Sequence, residues 1–234
     1  MKNYLILYNP LVWLNWLKQI QNISIFAIFY SFSIFLYLII NIETPDIQQS
    51  FFYLIMYIHI PVAWYTIQIY LICVILAICD FFFESHAIFN ITIKALVPVG
   101  AYFAIMTIAS GMLWGYPVWG IYWTWDPRLT STLFLLVLYL LYYTITYINK
   151  DNQTISNILL IFGIINIPII KYSVTWWNSL HQTSSVTASY TTISYSYYLP
   201  LVITLILFFS QGLYIFISYY QLYLIKYRIK LTTN

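Results

Sequence analysis

Six stretches of this chain run without a formal charge for long enough to cross a bilayer: Gln21–Ile40, Phe52–Cys79, Ala95–Leu113, Leu129–Ile148, Ile155–Ile170 and Tyr198–Ile225. A hydrocarbon core takes about 20 apolar residues as helix. Inside it every backbone N–H and C=O must find a partner within the segment, so runs of this kind become helices. With 62% hydrophobic and only 6% charged residues among 234, the chain cannot cover a water-exposed surface. A soluble domain carries about a quarter charged residues. The expected fold is therefore all-α: a polytopic membrane protein of six transmembrane helices in one domain, residues 1–234, embedded in the lipid bilayer.

The charges orient the helices. Six spans put both termini on one side. If that side is inside, inner segments carry Lys2, Lys18, Lys94, Lys150, Lys226, Arg228 and Lys230, and outer segments only Arg128 and Lys171. That is the positive-inside pattern. The net charge of +3 is small and scattered, which excludes nucleic acid as a partner. Cys73 and Cys79 both lie within an apolar run, without a CxxC or CxxCH, so disulfide scaffolds, zinc clusters and self-attached c-type haem are excluded. Abundant Tyr, Phe, Ile and Asn with few Gly correspond to AT-rich codons. With no Arg- and Ser-rich leader, the expectation is an organelle gene and a mitochondrial inner membrane, or a bacterial inner membrane if the source is an AT-rich bacterium.

This topology gathers the unusual residues on the outer face. Trp114, Trp119, Trp123 and Trp125 fall in one segment with Gly115, Pro117 and Gly120, which reads as an outward-facing loop, residues 114–130. A membrane-interface belt is the plain explanation; a rigid platform for a planar apolar ligand is the functional one. Asp126-Pro127 has the form of a helix N-cap followed by Pro at the first helical position. Arg128 in that first turn opposes the helix dipole, which favours pairing with an anionic group. His59, beside Pro61, reads as an interface histidine or a metal ligand, and His181 as a solvated loop residue or a second ligand. Two imidazoles flanking an aromatic platform could supply both axial positions of a haem iron. His86 reads as a solvated inner-loop residue, the cysteines as core, and Asn157, Asn166 and Gln68 as partners between helices.

Three segments carry a resemblance. Trp114-Gly-x-Pro-x-Trp119-Gly-x-x-Trp123-x-Trp125-Asp126-x-Arg128-Leu129-Thr130 is similar to the tryptophan-rich WWD signature. Tyr57-Ile-His59-Ile-Pro61-x-Ala63-Trp64 and Asn166-x-Pro168-Ile-Ile-x-Tyr172-Ser-Val-x-Trp176-Trp177-Asn-x-Leu-His181-Gln are similar to two histidine segments of the same proteins. With six spans in matching order, nearly the whole chain resembles the CcmC family, haem-handling membrane proteins of cytochrome c maturation. Tyr116 and Pro127 depart from the usual pattern. The resemblance implies axial iron ligation by His59 and His181, and a haem edge held by the residues around Trp114, Trp119, Trp123, Trp125, Asp126 and Arg128. It also implies haem b as a transient cargo, presentation to the haem chaperone CcmE, and an ABC transporter of CcmA and CcmB type as partner. The expected role is haem transfer at the intermembrane-space or periplasmic face, not catalysis. The alternatives are a haem lyase of the same superfamily, which is a longer chain, a bis-histidine electron carrier, and a ligand-free structural subunit of a respiratory assembly.

Overall fold

The structure, a computed structural model, describes residues 10–41, 49–83, 87–149, 153–177, 179–181 and 195–233. All its elements are helical: α1 (Pro10–Ile40), a 3-10 turn (Phe51–Ile55), α2 (Met56–Phe82), α3 (Ala87–Trp119), α4 (Pro127–Ile148), α5 (Thr154–Gly163), α6 (Asn166–Trp176) and α7 (Tyr195–Thr233). Six helical segments are long and apolar enough to cross a membrane, and α5 with α6 make up the fifth. The chain is a polytopic all-α membrane protein. His86 lies outside the described residues, as do most of the expected outer segments 41–51 and 171–197.

The helices α2, α3 and α4 form the centre of the bundle. α7 packs against α3 and α2, and α1 lies outside on α7, where Gln21 Nε2 donates to Ser218 Oγ at 2.8 Å. Lipid supplies no hydrophobic force between helices, so close packing and interhelical hydrogen bonds hold such bundles together. The core shows both. Tyr70 and Tyr139 are fully buried and meet edge to face at 5.4 Å. Their hydroxyls donate to the carbonyls of Leu160 at 3.0 Å and Thr66 at 2.8 Å, tying α2 to α5 and α4 to α2. At the end away from Trp114–Trp125, Asn90 and Asn157 donate to opposite oxygens of buried Asp80, at 2.8 and 2.9 Å, joining α2, α3 and α5. Cys73 is buried in the core and Cys79 is half-buried. Asn157 and Asn166 bridge helices as expected. Gln68 instead lies exposed on the outer surface of the bundle.

The fifth span is broken because Pro168 has no N–H for the Ile164 carbonyl. The chain crosses the break with tighter bonds: Ile164 to Ile161 at 3.3 Å, Ile165 to Phe162 at 3.4 Å and Ile167 to Ile164 at 3.0 Å. These i→i+3 bonds are of the 3-10 kind. Asn166 Nδ2 then anchors the start of α6 to the Ser131 carbonyl of α4 at 2.9 Å. This break aims α6, and the residues after it, at the amino end of α4.

The tryptophan-rich segment is only partly a loop. Residues Trp114–Trp119 complete α3, with Pro117 inside the helix. α3 is stopped by Gly120, whose φ of +76° is the left-handed conformation that glycine adopts freely. Its N–H closes on the Tyr116 carbonyl at 2.8 Å. The expectation of a loop from Trp114 onward is corrected in this respect. A proline removes one hydrogen bond, and in this last turn that loss does not end the helix.

Candidate functional site

The site lies at one end of the bundle, where α3 finishes and α2 and α4 begin. His59 stands in the first turns of α2 and faces the last turns of α3. Its Nδ1 is 3.0 Å from Ser110 Oγ. The Ser110 hydroxyl is 2.7 Å from the Met106 carbonyl; donating there, the shortest of its contacts, leaves its oxygen to accept from His59 Nδ1–H, and we assign the hydrogen to Nδ1 on that ground. One residue further, a methyl group on Gly111 would sit 3.1 Å from His59 Cε1, which makes glycine the floor beneath the ring. Trp114, one helical turn beyond Ser110, stands edge to face with His59 at 5.8 Å and 72°. Its indole N–H donates to Gln49 Oε1 at 2.9 Å.

Asp126 organises the other half. It caps α4, accepting from the Arg128 N–H at 2.9 Å through Oδ1, with Pro127 in the first turn. The anticipated cap is present, and Pro127 occupies the first helical position. The same carboxylate reaches across to the segment after α6. Oδ2 accepts from Ser179 Oγ at 2.6 Å and from the Leu180 N–H at 3.0 Å, and Oδ1 lies 3.2 Å from His181 Nδ1. A carboxylate can only accept, so His181 Nδ1 carries the hydrogen. Trp119 stands edge-on to His181 at 4.9 Å and 73°.

The electrostatics follow from burial. Burial lowers the His181 pKa and outweighs the pull of Asp126 upward, so the imidazole is neutral near pH 7. Burial alone would raise the Asp126 pKa. The hydrogen bonds from Ser179, the Arg128 N–H and the Leu180 N–H together bring it below the usual carboxylate range. The pair is an ionised carboxylate facing a neutral imidazole, because burial dominates at the ring and hydrogen bonds dominate at the carboxylate. His59, His181 and Arg128 lie within electrostatic reach of one another. Arg128 forms no ion pair with Asp126, whose carboxylate faces the neutral His181 ring at 3.2 Å instead. The Arg128 Nε and the Thr124 hydroxyl are buried without a hydrogen-bond partner among the described residues.

The residues expected to hold the cargo (His59, His181, Trp114, Trp119, Trp123, Trp125, Asp126 and Arg128) all fall at this end, in different roles. Trp114 and Trp119 back the two histidines. Trp123 and Trp125 pack edge to face with each other at 5.7 Å, and Trp125 is 77% exposed. Asp126 is buried and its carboxylate is spent on the protein's own groups. Trp176 packs against both Tyr172 and Trp177. Sequence reasoning missed Ser110, Gly111, Gln49 and Ser179. Ser110 and Gly111 were accessible in principle, since Ser110 lies one turn before Trp114 once α3 is extended through it. Gln49 and Ser179 carry no pattern that marks them.

These features define a class: an integral membrane protein that gathers two imidazoles, several tryptophans and an arginine with an unpartnered buried Nε at one end of a helical bundle. The model of the CcmC family, heme exporter protein C, matches residues 4–233. A ccmC-like mitochondrial cytochrome c biosynthesis protein of Marchantia polymorpha is 36% identical over 193 residues, 82% of this chain and 83% of that protein. Heme exporter protein C of Escherichia coli K12 is 38% identical over 143 residues, 60% of this chain and 58% of the relative. That of Haemophilus influenzae is 34% identical over 191 residues, 80% of this chain and 74% of the relative. The chain belongs to the CcmC family.

Proposed function

We propose that this protein takes up haem b as a transient cargo, holds its iron between His59 and His181, and delivers it to the haem chaperone CcmE during maturation of c-type cytochromes. The observation that carries this reading is the matched state of the two histidines. Each Nδ1–H is engaged by an acceptor of the protein, Ser110 for His59 and Asp126 for His181. The lone pair of each ring is therefore on Nε2, and a metal-binding imidazole is held in its tautomer in this way. Imidazole pairs are common axial ligands of haem iron.

The surroundings fit the cargo. Trp114 and Trp119 offer aromatic surface beside the two rings, and a porphyrin gains from burying its faces there. The unpaired buried Nε of Arg128 is a hydrogen-bond donor on a cation, which suits a propionate carboxylate. Exposed Trp125 marks an edge that a soluble chaperone domain could reach. The protein binds and transfers; no catalytic step is assigned to it. Subunits of the CcmA and CcmB type in an ABC transporter are the expected membrane partners. The cation distribution supports a site facing the intermembrane space of a mitochondrion, or the periplasm in a bacterium.

The test is spectroscopic. Protein purified from haem-replete membranes should carry haem b, identified by its pyridine haemochrome, with a low-spin bis-imidazole spectrum. His59→Ala and His181→Ala should each alter that spectrum, and the double variant should lose the haem. Unchanged spectra in both single variants would end this reading.

A further inference from the structure

The two histidines are oriented by acceptors of different charge. Behind His59 is the Ser110 hydroxyl, neutral and itself committed as a donor to the Met106 carbonyl at 2.7 Å. Behind His181 is the Asp126 carboxylate, which is buried and held in place by three further donors: the Arg128 N–H, the Ser179 hydroxyl and the Leu180 N–H. The two Nδ1 contacts are similar in length, 3.0 and 3.2 Å, so charge and not distance separates them. An acceptor carrying a full negative charge draws the Nδ1 hydrogen more strongly and leaves more electron density on Nε2. The supports differ as well. His59 is fixed by its helix, by Gly111 below and by Trp114 beside it. His181 follows the end of α6, and its anchorage to α4 is the Asp126 carboxylate.

Building on the ligation proposed above, we infer that Asp126 and Ser110 are positioning residues that make the two axial imidazoles unequal, His181 being the stronger donor and His59 the weaker. Asp126 acts through His181, not on the haem: it sets the ring, keeps Nε2 toward the cargo and supplies the negative charge that favours the ferric ion. Ser110 orients His59 without adding charge. The carboxylate thus has two tasks, capping α4 and tuning an iron ligand, and one substitution separates them. Asparagine caps a helix about as well as aspartate does, yet it brings no charge to the imidazole.

The experiment compares haem-loaded full-length protein in detergent for the wild type, Asp126→Asn, Ser110→Ala, His59→Ala and His181→Ala. It measures the midpoint potential of the bound haem and the rate of haem loss to apomyoglobin. Removing the hydrogen-bond partner behind a metal-binding histidine typically costs about 10- to 100-fold in metal affinity. Asp126→Asn should speed haem loss about tenfold or more. A tenfold loss confined to the ferric state converts to a rise of ~59 mV in a one-electron potential. Ser110→Ala should move the potential by less than half as much. A mere capping or packing role for Asp126 would change protein amount and leave the potential where it was. Should Asp126→Asn not accumulate, the histidine variants decide: His59→Ala, which keeps the stronger ligand, should retain more haem than His181→Ala.

Equal potentials in Asp126→Asn and Ser110→Ala, or equal haem retention in the two histidine variants, would overturn the inequality. If those variants nevertheless lose the bis-imidazole spectrum, ligation by His59 and His181 stands and this inference alone fails. If they keep it, both fall.

Discussion

Trp119 stands edge-on to His181 with ring centroids 4.9 Å apart, and Trp114 stands edge-on to His59 at 5.8 Å in nearly the same orientation, with interplanar angles of 73° and 72°. Two tryptophans near the end of one helix thus support two histidines that are far apart in sequence. The end of α3 is a common back wall for both histidines. In the proposed function this wall couples the holding of haem to the shape of the edge from which haem is passed on.

That coupling gives the first prediction. Burying one large aromatic group is worth roughly 1.5–3 kcal/mol, so Trp119→Ala or Trp125→Ala should weaken haem binding without abolishing it, since both imidazoles remain. Transfer to the chaperone should fall further than haem content does. Measuring protein amount, bound haem and haem on the chaperone in the same membranes checks this. A fall in transfer only in proportion to protein amount would make these residues interfacial anchors.

Gly111 gives a steric prediction. Its added methyl would approach His59 Cε1 to 3.1 Å, and the ring is confined on its other sides by Ser110 and Trp114. Gly111→Ala should displace His59 and cost on the order of 1–3 kcal/mol, the usual range for overpacking. The haem spectrum should change while protein abundance in the membrane stays close to wild type. An unaltered spectrum would show that the ring has more room than the geometry indicates.

Arg128 gives a chemical prediction. Truncating one partner of a buried charge pair typically costs about 2–5 kcal/mol, so Arg128→Ala should weaken haem binding by roughly 30-fold or more at 1.4 kcal/mol per tenfold. Haem dimethyl ester, which has no propionate charge, should bind the wild type and Arg128→Ala equally. Titrating both proteins with both porphyrins checks the assignment. An Arg128 effect that persists with the ester would exclude the propionate as its partner.

The topology can be tested at Ile121, which is half-exposed just beyond the end of α3. A cysteine there, in a protein with Cys73 and Cys79 replaced, should react with an impermeant maleimide from the intermembrane-space or periplasmic side. Reaction only from the opposite side would place the histidines on the wrong face for a chaperone of cytochrome c maturation.

The amino-acid sequence determined by itself what depends on local properties. An uncharged apolar run must become a membrane-spanning helix wherever it lies, so the six spans were legible, and so was the Asp126-Pro127 start of α4. His59, His181 and the tryptophans stood out because such residues are rare in lipid-facing helices. The tertiary structure alone decided how these parts serve one another. That Ser110 and Asp126 meet His59 and His181, and that Trp114 and Trp119 stand beside those rings, depends on helix rotation and register. The two hydrogen bonds join residues 51 and 55 positions apart. Contacts of that kind leave no periodic trace along the chain, because packing between helices, and not the pattern within any one of them, sets which side chains face each other.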